Sequence, residues 1–195
     1  FASINIAGTL NTTVDLTVET WFTITNQQDW AKLWMFGRRA EGAGEPWLSY
    51  VEFSPRAGVA GNVPSFAFNP ISGGEANSRG DANPALLTTG VAYYAVASYN
   101  SASNLMSLYI NGALVDSAAM GNGNITQLNP DTAYLGAAVH YDDPCFNGAI
   151  DEMRIWKGVL SASQIAFNAN VGPNTLVTNA GPLTGLRLVV TTNTM

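Results

Sequence analysis

Apolar and polar positions alternate with a period of two along much of the chain, the spacing of strands that bury one face. Residues 16–24 place Leu16, Val18, Thr20, Phe22 and Ile24 on one side and Glu19, Trp21 and Thr23 on the other. Aromatic-rich runs at 32–36 and 47–53 and a short one at 65–68 predict further strands. Residues 69–84 carry no periodicity, hold Gly73-Gly74 and two prolines, and read as a loop. Alternation resumes at 93–99. Residues 105–115 then form two apolar arms around Asn111-Gly112, a pair suited to the two positive-φ positions of a type I′ hairpin turn. Strands are also expected at 134–139 and 146–156, with a closing apolar strand at about 186–192.

One helix is expected. Ser161 with Gln164 three residues on makes a capping box, Ile165 and Phe167 supply residues to bury, and Gly172-Pro173 ends the segment. Many short strands with one short helix predict an all-β fold, a two-sheet antiparallel jelly-roll sandwich. A length of 195 residues suits one core, so residues 1–195 are read as a single domain. No internal repeat or linker divides it.

Composition narrows the classes of partner. Hydrophobic residues make up 47% and charged residues 11%, against roughly 25% charged in typical soluble domains. The polar surface therefore comes from Asn, Thr, Ser and Gln, as suits extracellular domains and particle subunits. Net charge is −6, and no basic stripe is present to neutralise a phosphate backbone, so nucleic acid is excluded as a partner. No apolar run reaches the ~18–20 residues of a membrane span. Cys145 is the only cysteine, which rules out an intrachain disulfide framework. The chain opens at Phe1 with no basic-then-apolar leader, so it is read as a matured product or as part of a longer one.

Three segments carry a family resemblance. Leu16-Thr-Val-Glu-Thr-Trp-Phe is an early aromatic strand; Tyr94 through Leu108-Tyr-Ile-Asn-Gly112 to Val115 is a central hairpin. Tyr134-Leu-Gly136, then Phe146-Asn-Gly-Ala-Ile-Asp-Glu-Met-Arg-Ile-Trp156, then Leu160-Ser161 with Gln164-Ile165 form the ending. In order and spacing, over about residues 3–172, these resemble the concanavalin A-like lectin/glucanase superfamily in its laminin-G-like branch. The resemblance implies the jelly roll. It leaves function open, because the superfamily includes lectins, adhesion modules, glycosidases and viral surface proteins.

Asp151 is the candidate metal ligand. Alternation sets Asp151, Met153 and Ile155 on one face, so the carboxylate is expected to look toward the core, where it needs a partner. The resemblance implies a structural calcium there, held with backbone carbonyls; the alternative is an Asp accepting backbone N–H bonds from a nearby loop. Tyr141, Asp142 and Asp143 precede that strand and are candidate glycan ligands, or else an Asp-Asp-Pro turn. Trp30 and Trp47 stand at loop–strand junctions and are candidate sugar platforms, whereas Trp34 and Tyr50 are expected in the core and Trp156 against the helix. Arg79-Gly80-Asp81, in the longest loop, is the cell-adhesion tripeptide, a cheap match in a Gly- and Asn-rich loop. His140 is the only histidine and reads as an ordinary strand-end residue.

Glucan-cleaving members of the superfamily usually carry Glu-x-Asp-x-x-Glu, which sets two carboxylates on one strand face. That pattern is missing: Glu52 stands alone, and Asp151 and Glu152 are adjacent and so on opposite faces. The expected function is a non-catalytic carbohydrate- or surface-recognition module, outside the cell or on a cell or virion surface, binding a glycan or surface protein. The competing reading is an assembly protein, such as a virion decoration or tail subunit or a filament component, whose partners are copies of itself or other particle subunits. A glycoside hydrolase comes third.

Overall fold

The computed structural model describes residues 1–6, 10, 12–39, 47–58, 61–70, 75–79, 86–121, 125–128, 130–138, 143–175 and 190–191, and only the backbone of 39, 47, 48, 79, 190 and 191. Among these are twelve strands and one α-helix. The strands are β1 (Ala2–Ser3), β2 (Leu16–Asn26), β3 (Trp34–Arg39), β4 (Trp47–Ser54), β5 (Ser65–Asn69), β6 (Ala76–Arg79), β7 (Ala92–Asn100), β8 (Leu105–Ile110), β9 (Ala113–Ala119), β10 (Thr132–Leu135), β11 (Asn147–Trp156) and β12 (Val190–Thr191); α1 is Ala162–Val171. They form two six-stranded antiparallel sheets. The front sheet runs β1-β10-β3-β4-β5-β6 and the back sheet β12-β11-β2-β7-β8-β9. This is the predicted jelly-roll sandwich.

Alternation decides what each sheet buries. In β2 the side holding Leu16, Val18, Phe22 and Ile24 faces the front sheet, which returns Trp34, Phe36, Val51, Phe53, Phe66 and Phe68. Each fully buried large side chain contributes about 1.5–3 kcal/mol of transfer free energy. The other side of the back sheet carries a smaller cluster of Trp21, Tyr94, Val96, Leu160 and Ile165, with Trp156 packed against it. Helix α1 covers that face. Its capping box is formed, Ser161 accepting from the Gln164 backbone N–H and Gln164 from that of Ser161, and Gly172 at φ 73° closes its C-terminus. Ile165 is buried as expected, but Phe167 is 51% exposed and anchors nothing.

The Asn111-Gly112 turn has φ 51° and 84°, as the hairpin requires. Its tip lies under α1: a Cβ on Gly112 would stand 3.2 Å from the Ala166 Cα and 3.0 Å from the Ala169 Cβ.

Two sequence expectations need correction. The stretch 69–84 is not all loop, since β6 pairs with β5 across Ser65–Arg79 to Phe68–Ala76. Its sequence, Ala-Asn-Ser-Arg, has no apolar alternation to announce it. The second concerns Asp151. The pairing of β11 with β2 steps from Ile150↔Phe22 to Glu152↔Trp21, leaving Asp151 as the extra residue of a bulge. Asp151 is therefore exposed, Ile150 joins Met153 and Ile155 on the core side, and Glu152 and Arg154 are buried on the outer face. Of the expected closing strand only Val190–Thr191 lies among the described residues, paired with β11 at Met153 and Glu152. Residues 80 and 81 of the tripeptide and His140 lie outside them.

Candidate functional site

The outer face of the front sheet is built by the same alternation that fills the core. In β4, Val51 and Phe53 point inward, so Tyr50, Glu52 and Ser54 point outward. Strand register lines up Tyr134, Met35, Glu52, Ala67 and Asn77 in one row across five strands. The next row holds Thr132, Gly37, Tyr50 and Asn69.

Three charges meet at this row. Lys32 forms an isolated parallel bridge with Cys145, which brings the segment carrying Asp143 alongside it. The Lys32 Nζ lies 2.7 Å from Glu52 Oε1 and 3.5 Å from Asp143 Oδ2, with the lysine side chain 2% exposed. Among the described residues, Glu52 Oε2 has no hydrogen-bond donor. Burial pushes the Glu52 carboxyl up to about 7; Lys32 pulls it down, while Glu75 and Asp143 push it further up. Tyr50 donates its hydroxyl to Glu75, whose other oxygen accepts from Asn77 Nδ2 at 2.7 Å. Burial first, then the Glu75 hydrogen bond, raise the Tyr50 hydroxyl well above its ordinary range.

Trp30 borders this cluster, half-buried, with the Lys32 ammonium 5.2 Å from its ring centroid. Its backbone sits at φ 68°, a left-handed conformation that bulky residues rarely adopt. The Trp30 N–H donating to the Arg56 carbonyl at 2.8 Å holds it there. The indole lies over Gly58, where a Cβ would come within 2.5 Å of Nε1, so only glycine lets the ring rest flat. Beside it, Arg56 pairs with Asp29 and donates to Gln27 Oε1 at 2.7 Å. Gln27, Arg56, Ala31 and Phe146 line a shallow cleft next to the tryptophan.

Of the residues singled out from sequence, the structure brings Trp30 and Asp143 together, one on each side of Lys32. The backbone of Trp47 opens β4, while its side chain, Tyr141 and Asp142 lie outside the described residues. Asp151 stands apart on the back sheet. Its exposure removes the burial reason for expecting an ion, and no group of three or more His, Cys, Asp or Glu suited to a metal occurs among the described residues. Lys32 and Tyr50 were not expected in a site. The available signal was an isolated charge inside an apolar run, Trp30-Ala-Lys-Leu-Trp34 and Val51-Glu-Phe53.

Comparison with known proteins agrees with this architecture. A family model described as the concanavalin A-like lectin/glucanases superfamily, laminin-G type, matches residues 2–166. No curated protein matches the chain. Among solved structures, domain 4 of AbnA, a GH43 extracellular arabinanase of Geobacillus stearothermophilus in complex with arabinotriose, superposes with a TM-score of 0.63 at 23% identity, covering 80% of this chain and 67% of that one. The CBM40 of a Ruminococcus gnavus IT-sialidase bound to α2,3-sialyllactose gives 0.62 at 15% identity, covering 80% and 84%. A heptameric SAP-like pentraxin of Limulus polyphemus gives 0.61 at 10% identity, covering 92% and 80%.

Proposed function

The chain belongs to the concanavalin A-like lectin/glucanase superfamily, and from that premise we propose that it is a non-catalytic carbohydrate-binding module acting outside the cell. The observation that carries the reading is Trp30, a half-exposed indole held at φ 68° beside a fixed set of polar groups. A sugar presents an apolar C–H face and a rim of hydroxyls, so its receptor needs a flat ring with donors and acceptors at the edge. Asp29 and Asp143 supply that edge, with Lys32 and Glu52 buried behind them. Strain at a functional position is tolerated when it fixes a geometry in advance, which lowers the ordering cost of binding.

The same cluster argues against hydrolysis. Glycoside cleavage needs one carboxyl free to give a proton and another free to attack or activate water. Here Glu52 and Asp143 share one ammonium, at 2.7 and 3.5 Å. The similarly folded domains solved with arabinotriose and with sialyllactose support the binding class.

A glycan array probed with the purified protein tests the reading. A ligand that binds the wild type and is lost at least tenfold in Trp30→Ala, with no sugar released on long incubation, is expected. A blank array, or binding indifferent to Trp30, counts against it. A calcium contribution, implied by family resemblance alone, is tested by repeating the array and a thermal melt after chelation. A loss of binding or of melting temperature restored by calcium is the outcome that supports an ion.

A further inference from the structure

Resting on the carbohydrate reading, the charges around Trp30 go further and select among sugars. We propose that this site takes uncharged glycans and turns acidic ones away. Among the described residues around Trp30 and Glu52 there are four carboxylates, Asp29, Glu52, Glu75 and Asp143, and two cations, Lys32 and Arg56. Both cations are already committed. Lys32 is buried between Glu52 and Asp143, and Arg56 is held by Asp29 and by Gln27 Oε1 at 2.7 Å.

A receptor for sialic acid, a uronic acid or a sulfate needs a cation or N–H cluster free to form charge-assisted bonds. Recruiting Lys32 would strip two carboxylates of their partner. A ligand anion would also enter the field of Asp143, Glu75 and Asp29 on a chain of net charge −6. Hydroxyls meet no such opposition, because they donate. The site turns acceptors toward solvent: Asp29, 48% exposed, and Asp143, 20% exposed, keep lone pairs there, with Glu52 buried behind them. A neutral sugar fits this balance, its apolar face on Trp30 and its hydroxyls toward the carboxylates.

The deciding measurement is affinity at low salt for matched glycans differing by one acidic group, such as lactose against sialyllactose, on an array holding neutral and acidic glycans in equal number. We expect the leading ligands to be neutral, each bound at least tenfold more tightly than its acidic counterpart. In Asp29→Asn, which frees Arg56 and removes one acceptor, the gap should narrow severalfold as acidic binding rises and neutral binding falls. Sialylated, uronic or sulfated glycans leading the array would overturn the selectivity and leave the carbohydrate reading standing. An array blank for both classes would overturn the carbohydrate reading, and the selectivity with it.

Discussion

Lys32 and Glu52 have both been taken out of water, and a 2.7 Å contact offsets only part of that cost. Removing one partner is therefore worse than removing both. Lys32→Met should lose about 3–5 kcal/mol in a denaturant melt, while Lys32→Met with Glu52→Leu should be close to neutral or more stable. The pair also sets a pH dependence. The Glu52 carboxyl is raised from an ordinary 4.5 to about 7, so its contribution to stability is fully present below 4.5 and fades as pH rises through 7. The melting temperature of the wild type relative to the double variant should fall across that window; a constant difference would show that the carboxyl does not titrate there. Trp30 behaves differently. Trp30→Asn gives up packing but releases a left-handed strain of about 1–3 kcal/mol. Its stability should stay near that of the wild type while glycan affinity falls at least tenfold, separating binding from folding.

At the scale of elements, the outer face of the back sheet holds a second buried charge system, closed by α1. Glu19 is 0% exposed and accepts from the Tyr94 hydroxyl, the Trp156 indole N–H and the Asn168 amide of the helix. Arg154 grips Glu152 through two hydrogen bonds, at 2.8 and 3.1 Å, and lies 4.4 Å over the Trp21 ring. Ser161→Ala removes the helix cap and should cost about 1 kcal/mol. Asn168→Leu removes one of the two donors to Glu19 Oε1, leaving Tyr94, and should cost about 1–3 kcal/mol for a lost hydrogen bond to a buried charge. Neither should alter glycan affinity in the folded fraction, because the proposed site is on the opposite sheet. Strand existence, the hairpin and this helix were legible in the sequence because each rests on short-range chemistry: alternation, an Asn-Gly pair, a capping box. β6 was not, since an all-polar or small sequence can join a sheet only where a neighbour such as β5 offers it pairing. The face of Asp151 was misread for a related reason. One extra residue inverts a period of two, and a bulge leaves no mark in the alternation itself.

For the molecule as a whole, the two outer faces are unequal. Helix α1 covers apolar side chains of the back sheet, whereas the outer face of the front sheet carries charged and aromatic groups, Lys32, Glu52 and Tyr50 buried and Trp30 half-buried. The site was only half legible because its members are far apart in sequence. Trp30 and Asp143 each drew notice by residue type, but nothing local says that Lys32 stands between them. An assembly role makes a separate demand, a stable oligomer. Light scattering should give the mass of one 20.6 kDa chain if recognition is the main task; a discrete multimer at micromolar concentration would favour the particle-subunit reading. The hairpin tip beneath α1 has a practical consequence. Exposed hairpin tips are ordinarily where a protein accepts a tag, a fluorophore or a circular permutation. Here Asn111 is exposed but Gly112 packs against α1, where a Cβ would stand 3.0 Å from the Ala169 Cβ, so an insertion would press on the helix. The turn at Ser101–Asn104, largely exposed, is the opening a protein engineer should use.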